Sequence, residues 1–297
     1  MVACFVVACD SPGSKTVVDA RWTPGPEPCP FPDWVRGPVR PDTTCVPGLL
    51  ADSGAHWGHE SGAHIAMHFT DGSAAATDPA SFLARAEHAY ADNLALLQLA
   101  PDTGRVDLFY VATKGENSRL TGGVGTGWTV AQARAIILVS PRGDRDPADR
   151  HELMHVVSMT RWGMNALADY WIREGLATYA GELCTPTNVD SIARAMLSDG
   201  RAQPLAEYRK AFFVPGRDNL AAYMLSASFV KFLIERDGID RLKKLWQGGS
   251  ETLAQVYAAT PEQLETEWKA SVTRRSNQGV AAAGVRGGIG GCALNVH

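Results

Sequence analysis

The chain of 297 residues lacks both long runs of like charge and long apolar runs. No basic run exceeds two residues and the net charge is −4, so nucleic acid is not expected as a partner. No apolar stretch reaches the roughly 18 residues that a membrane-spanning helix needs. Hydrophobic residues make up 45% and charged residues 20% of the chain, which is typical of a globular protein with a buried core.

Cysteine is scarce, with six residues and no CxxC pair, which argues against a cysteine-based zinc site. An even number of cysteines is compatible with disulfides. Cys29 and Cys45, which bracket a proline-rich loop, are the best candidate pair.

The first nine residues, "MVACFVVAC", are wholly apolar, and the stretch that ends at Cys9 resembles the lipobox of bacterial lipoproteins. No basic residue precedes Lys15, whereas a signal peptide begins with a basic region. Two interpretations stay open: the remnant of a signal peptide that starts upstream, or a buried N-terminal strand. We expect an extracytoplasmic protein (secreted, periplasmic or lipid-anchored) that contacts a membrane only through a lipid anchor at Cys9.

Proline is concentrated at one end of the chain, because nine of the 17 prolines precede residue 48. Such a region cannot form helices or interior strands. We predict an apolar N-terminus and proline-rich leader over 1–48, a folded domain over 49–275 and a flexible Gly/Ala-rich tail over 276–297.

The folded region predicts strands first and helices afterwards. "HIAMHFT" alternates with Ile65, Met67 and Phe69 on one face, as a half-buried strand does. Further strands are predicted at 106–113 and 133–140, and helices at 79–99, 167–183, 219–236, 239–248 and 261–273. Gly175 and Gly181 are accepted as local costs within one of these helices. Without an alternating βαβ pattern, the fold class predicted is α+β.

The segment "RHELMHVV" carries the main chemical signal. Asp146 as N-cap, Pro147 at the first helical position and Asp149 in the first turn predict a helix, with HELMH beginning at its second turn. Residues four apart on a helix differ by about 40° around its axis, so His151 and His155 project side by side and can share one ion. By composition alone, such a pattern is expected about 0.01 times in this chain. The alternative is a set of polar residues on an ordinary helix.

A catalytic zinc ion needs a third protein ligand and leaves one position to water. Where a third histidine would follow six residues after His155, the sequence has Arg161, and no histidine occurs again before the last residue. The third ligand must then be a carboxylate. Glu174, separated from His155 by 18 residues, lies on a second predicted helix that can return to the ion.

The pattern HExxH-x18-E, with Glu174 in the context W-x-x-E-G-x-A-x-Y, resembles the gluzincin metallopeptidases, which include thermolysin and the aminopeptidase N family. "AYMLSASFVKFL" is similar to the helix that carries the catalytic tyrosine in those aminopeptidases, and "LETEWKASV" to the closing helix of small bacterial gluzincin-like proteins. The tyrosine falls at Tyr223, although Ser226 stands where the family has glycine. The resemblance spans about residues 60–273. It implies a thermolysin-like catalytic domain, with a small, mainly antiparallel sheet followed by a helical half.

This resemblance implies one Zn²⁺ ion with His151, His155 and Glu174 as ligands and Glu152 as general base. The base would activate a zinc-bound water to attack a peptide or protein substrate. Tyr223 would stabilise the oxyanion, with Tyr170 and Tyr179 as weaker candidates. Asp169 and Glu182 lie on suitable elements to orient a ligand histidine.

One departure from the family bears on specificity. The aminopeptidases carry a glutamate shortly before HExxH that binds the substrate's amine, but no glutamate occurs between Glu116 and Glu152. We therefore favour an endopeptidase slightly, and predict that "TGGVGTGWTV" is an edge strand where a peptide could add. Two alternatives stay open: a metal-binding or partner-binding module with narrow or no catalysis, and hydrolysis of a non-peptide amide.

A second histidine-rich segment, "HWGHESGAH", superficially resembles a metal motif. The spacing of His59, Glu60 and His64, with a glycine between them, does not suit one helix face. His64 and His68 are four apart in a predicted strand and hence about 13 Å apart. We therefore expect solvent-facing positions for His64 and His68.

Overall fold

The computed structural model describes residues 2–4, 7–8, 20–22, 46–121, 125–144, 148–164, 168–181, 189–200, 204, 207 and 219–274. The chain forms two compact units, Met1–Asn165 and Ala166–Val296. The first contains a sheet with helices, and the described elements of the second are helical. The chain is thus mixed α and β, in agreement with the α+β class.

The strands of the first unit are β1 (Val2–Cys4), β2 (Val7–Ala8), β3 (Ala20–Trp22), β4 (Trp57–Ser61), β5 (Ile65–Thr70), β6 (Val106–Val111), β7 (Gly127–Val130) and β8 (Ala135–Val139). Its helices are α1 (Val46–Leu50), α2 (Pro79–Leu96), α3 (Lys114–Thr121) and α4 (Asp149–Trp162). Cys9, Cys29 and Cys45, on which the predicted anchor and disulfide depend, lie outside the described residues, as do 275–297.

The main sheet has six strands in the order β2-β7-β8-β6-β5-β4, and β1 pairs with β3 separately. The outer pairings are antiparallel, whereas β5 with β6 and β6 with β8 are parallel. β7, predicted as an edge strand, has β2 on its outer side, where Val7 and Ala8 pair with Thr129 and Trp128. Residues 122–124 of the predicted stretch, which spans 121–130, lie outside the described residues.

Three of the five pairings in this sheet are antiparallel, in agreement with the mainly antiparallel sheet that we expected, but its centre is parallel. A parallel neighbour requires a crossover connection of a dozen or more residues, and α2 supplies one between β5 and β6. The sequence already predicted a helix between these two strands, but the absence of regular βαβ alternation hid the crossover. Asp78 starts this helix by accepting a hydrogen bond from the Ser81 amide at 3.2 Å, and Pro79 takes the first helical position.

Helices pack on both faces of the sheet because successive strand residues point to opposite faces. Phe109 belongs to a core with Trp128 and Leu120, which comes from α3. Its neighbour Tyr110 points to the other face, where its hydroxyl donates to Asp149 of α4 at 2.9 Å. The metal-binding pattern of the sequence thus lies on the Tyr110 face.

The second unit contains α5 (Tyr170–Gly181), α6 (Val189–Ser198), α7 (Asn219–Asp237), α8 (Ile239–Gly248), α9 (Leu253–Tyr257) and α10 (Pro261–Arg274). The predicted helices at 167–183, 219–236, 239–248 and 261–273 are thereby confirmed to within a few residues. α7 is the central helix and packs against α5, α6, α8 and α10. Phe229 of α7 contacts the rings of Trp171 and Trp268, with centroids 5.6 Å away in each case. Within the described ranges, no helix combines the length and apolar character that crossing a membrane requires.

Candidate metal centre

The helix that carries HELMH begins later than the sequence predicted. α4 starts at Asp149, after Ala148, which makes no side-chain cap hydrogen bond. Asp146 and Pro147, the predicted cap and first helical residue, lie outside the described residues. HELMH therefore begins within the first turn of the helix, not the second.

Asp149 holds the start of α4 against the sheet and α2. Its carboxylate is 1% exposed and accepts hydrogen bonds from the Arg85 guanidinium and the Tyr110 hydroxyl, each at 2.9 Å. Burial, together with the adjacent Asp149 carboxylate, raises the pKa of Tyr110 well above its usual value. Tyr110 therefore remains a hydrogen-bond donor, and the first turn of α4 is fixed in place.

The two histidines point toward each other across one turn of α4. Their Nε2 atoms are 3.2 Å apart, and both side chains are buried. Two imidazoles bound tetrahedrally to zinc at about 2.0–2.1 Å would have their nitrogens about 3.3 Å apart. The spacing of His151 and His155 therefore suits two cis ligands of one tetrahedral ion.

Glu152 is buried against β7, and its carboxylate lies over two residues of that strand. The Thr129 hydroxyl donates to Oε2 at 2.6 Å. A Cβ atom at Gly127 would lie only 2.5 Å from Oε1, so the glycine makes room for the carboxylate. Neither contact was predicted, because nothing in "GWTV" signals which helix residue lies over the strand.

The structure brings the three predicted ligands together. His151, His155 and Glu174 are all buried, and each offers one ligand atom within 4.8 Å of the others. Two imidazole nitrogens and one carboxylate oxygen are a donor set that Zn²⁺ accepts, as do other first-row divalent ions. These three residues could hold a metal ion, and their donor atoms are of the kind expected for the Zn²⁺ ion that the sequence predicted.

The helix that carries Glu174 is positioned by close packing against α7. A Cβ atom at Gly175 would meet the Ser226 carbonyl oxygen at 2.8 Å and a Val230 methyl at 2.9 Å. Gly175, accepted from sequence as a local cost, is therefore what allows the two helix backbones to approach. Tyr223 is one turn before Ser226 and is 1% exposed, so it lies buried on the helix that crosses α5 beside Glu174.

Arg173 and Tyr170 flank Glu174 on the same helix. Burial lowers the pKa of the Arg173 guanidinium, whose Nε donates to the Ala168 carbonyl oxygen at 2.7 Å. Burial, and then the charge of Glu174, raise the pKa of Tyr170, although 44% of this residue is exposed. The pKa of Tyr170 thus reflects the nearby charge of Glu174, whereas for Arg173 that charge only partly offsets the effect of burial on the pKa.

The remaining predicted site residues have different placements. Asp169 accepts hydrogen bonds from the backbone amide and hydroxyl of Ser250, and that hydroxyl also accepts from Trp171 Nε1 at 2.7 Å. Asp169 thus anchors the start of α5 to the segment that follows α8. Tyr179 is half-buried, and Glu182 lies outside the described residues. The orienting role for either carboxylate stays a prediction.

No protein-family model matches this chain, and no curated protein sequence matches it either.

Proposed function

We propose that this protein is a zinc-dependent peptide-bond hydrolase with a gluzincin-like catalytic centre. The observation that carries the proposal is the convergence of His151, His155 and Glu174, whose ligand atoms lie within 4.8 Å of one another. A helix that carries HExxH, a second helix that carries the glutamate and a preceding mixed sheet all support a thermolysin-like arrangement.

The number of ligands favours a catalytic ion over a structural one. Structural zinc sites have four protein ligands, whereas catalytic sites have three and leave a position open. The described group has three members, and a further carboxylate, Glu152, lies on the turn between the two histidines. When bound, the ion would act as a Lewis acid that lowers the pKa of water toward 7 and polarises the scissile carbonyl.

The residues of this chain then have distinct tasks. Glu152 accepts the proton from the attacking water and delivers it to the leaving nitrogen. Thr129 holds one oxygen of this carboxylate by a hydrogen bond to Oε2, and Gly127 leaves room for the other. Tyr223 donates a hydrogen bond to the oxyanion that develops on the carbonyl. The lack of an amine-binding glutamate before HELMH supports cleavage within peptides. The proposed setting is extracytoplasmic, on the basis of the lipobox-like stretch that ends at Cys9.

The test is to separate metal binding from cleavage. Purified protein should contain about one zinc per chain. Glu152→Gln should keep this zinc and the fold but lose cleavage of a peptide library by about a thousandfold or more, since the proton acceptor is removed. Glu262→Gln, a matched change on the exposed side of α10, should leave both unchanged.

Two outcomes would contradict the proposal. Full cleavage by Glu152→Gln would remove the general base from the mechanism. Zinc binding without chelator-sensitive cleavage of any peptide would favour the partner-binding module instead.

A further inference from the structure

The antiparallel hairpin of β4 and β5 brings together two histidines that are nine residues apart. In its register His59 lies opposite His68, and the turn is closed by a hydrogen bond from the Gly62 amide to the Ile65 carbonyl at 2.9 Å. The expectation of a solvent-facing His68 was wrong, because this side chain is 7% exposed. His64 is half-buried and lies 3.0 Å from a carboxylate oxygen of Glu87.

His68 is held in one orientation by two contacts. Its ring stacks on Phe109 with centroids 4.5 Å apart, and its Nε2 lies 2.9 Å from Asp107 Oδ1. An ionised carboxylate can only accept, so Nε2 of His68 carries the proton and donates it. In the neutral ring, Nδ1 is therefore left with a lone pair. A histidine whose far nitrogen donates to a carboxylate is the arrangement typical of metal ligands.

Nδ1 of His59, on the neighbouring strand, faces this lone pair. Its Nδ1 lies 2.8 Å from Nδ1 of His68, and the two rings are nearly perpendicular at 79°. Without a metal, His59 donates its Nδ1 proton to His68. If that proton moves to Nε2, which is the other neutral tautomer, the lone pairs of both Nδ1 atoms face the same point. The exchange leaves the charge of both rings unchanged.

We propose that His59 and His68 form a second metal site that binds Cu²⁺, with Asp107 orienting His68. With metal–nitrogen bonds of about 2.0 Å, cis ligands of a square-planar ion lie about 2.8 Å apart, whereas tetrahedral ligands lie about 3.3 Å apart. The observed 2.8 Å is the length of the hydrogen bond between the rings and also equals the square-planar spacing, so the two nitrogens would need little movement to bind such an ion. At His151 and His155 the corresponding distance is 3.2 Å, which matches the tetrahedral one.

The preferred geometry points to the same ion. Cu²⁺ prefers a tetragonal arrangement of nitrogen and oxygen ligands, whereas the wider spacing at His151 and His155 suits a tetrahedral ion such as Zn²⁺. The exposed edge of His59 leaves room for water to complete the coordination. The Asp107 carboxylate adds a negative charge behind His68, which favours a cation in front of it.

This site is separate from the proposed zinc site. His68 pairs with Phe109, and Phe109 pairs with Ile137, which in turn pairs with Trp128. These residues share one face of the sheet. Thr129, which holds Glu152, follows Trp128 and therefore points to the opposite face. The inference does not depend on the proposed function, and substitution of His59 should leave peptide cleavage unchanged.

The experiment is a Cu²⁺ titration of the untagged, zinc-loaded full chain. We expect one Cu²⁺ to bind per chain without release of zinc, with an electron paramagnetic resonance spectrum of a tetragonal ion and two imidazole nitrogens. His59→Gln should weaken Cu²⁺ binding about tenfold or more, because half of the protein ligands are lost. Asp107→Asn should weaken it by about ten- to a hundredfold, because the orienting carboxylate is lost.

His56→Gln is the matched control, since this exposed histidine lies one residue before β4 and should keep the affinity of the unmodified chain. Equal affinities for the unmodified chain and His59→Gln would overturn the proposal, as would release of one zinc for each Cu²⁺ bound. A chain that fails to take up zinc would contradict the proposed hydrolase, whereas the His59 dependence of Cu²⁺ binding would still decide the second site.

Discussion

Thr129 shows how a single side chain can position the proposed general base, Glu152. Its hydroxyl lies 2.6 Å from Oε2 of Glu152 and 3.2 Å from the backbone oxygen of the same residue. Opposite it, Gly127 leaves space for Oε1. Thr129 thus donates to one oxygen of the carboxylate and Gly127 leaves room for the other, so the orientation of the carboxylate depends on β7.

Thr129→Val keeps the volume of the side chain but removes the donor. In the proposed hydrolase we expect kcat to fall about ten- to a hundredfold with little change in KM, because the base is misoriented while substrate binding is unaffected. Thr129→Ser, which keeps the hydroxyl, should restore most of kcat. Steady-state kinetics with zinc content measured in parallel would check this. Equal losses in the valine and serine variants would indicate a packing role instead.

At the scale of elements, Gly175 sets the distance between α5 and α7. The Ser226 carbonyl oxygen, a backbone atom that cannot rotate away, would lie 2.8 Å from any Cβ at this position. Since α5 also carries Glu174, the packing of the two helices determines where that carboxylate lies.

Gly175→Ala should therefore force α5 and α7 apart. We expect a loss of about 1–3 kcal/mol in the free energy of unfolding, as for other overpacked cores, together with weaker zinc binding. Gly115→Ala is the matched control, because its nearest neighbour would be the Thr113 hydroxyl at 3.7 Å, an ordinary contact. Urea unfolding of both variants is the measurement, and an unchanged midpoint for Gly175→Ala would contradict the expectation.

The turn between β4 and β5 depends on a carboxylate from α2. Glu87 Oε1 accepts hydrogen bonds from the amides of His64 and Ile65 at 2.7 and 2.9 Å. Burial by itself raises the pKa of Glu87, but these hydrogen bonds and the contact with the His64 ring outweigh it, so the pKa is lowered.

Because the pKa of Glu87 is lower in the folded chain, its contribution to stability is fully present above the unfolded value of about 4.3. That contribution is lost as the pH falls through the lowered folded value. Glu87→Gln should therefore cost about 1 kcal/mol at pH 7 and progressively less in acid, since the site is partly exposed to solvent. Urea unfolding between pH 7 and pH 3 would show the two stability curves converge. A constant difference at all pH values would contradict this account.

At the scale of the whole molecule, a metal ion bound by buried ligands would link ion binding to folding. The ligand atoms of His151, His155 and Glu174 converge only in the folded chain. An ion that binds the folded but not the unfolded state stabilises the folded state by mass action.

We expect the melting temperature to fall on chelation and to rise with free zinc. The free energy of unfolding should increase by about 4 kcal/mol when free zinc is at 1,000 times its Kd. Glu174→Gln should lose most of this zinc-dependent shift, whereas His56→Gln should keep it. Thermal unfolding at graded zinc concentrations is the measurement. A melting temperature that does not respond to zinc would argue against a metal at these residues.

Local patterns account for what could be predicted from the sequence. The helices at α5, α7 and α10 follow from apolar periodicity, and the pairing of His151 with His155 follows from helical spacing alone. Glu174 required one more step, since the absence of a third histidine pointed to a carboxylate on a second helix. The structure bears out that these three residues gather at one place.

The sequence by itself determined most of the longer helices and the chemical identity of the candidate ligands, because both depend on residues a few positions apart. Only the tertiary structure decided the parallel centre of the sheet, the contacts of Glu152 with β7 and the meeting of His59 with His68. Each of these depends on strand order or register. A shift of one residue in register would turn His68 to the other face of the sheet, and periodicity within one segment carries no information about its partner.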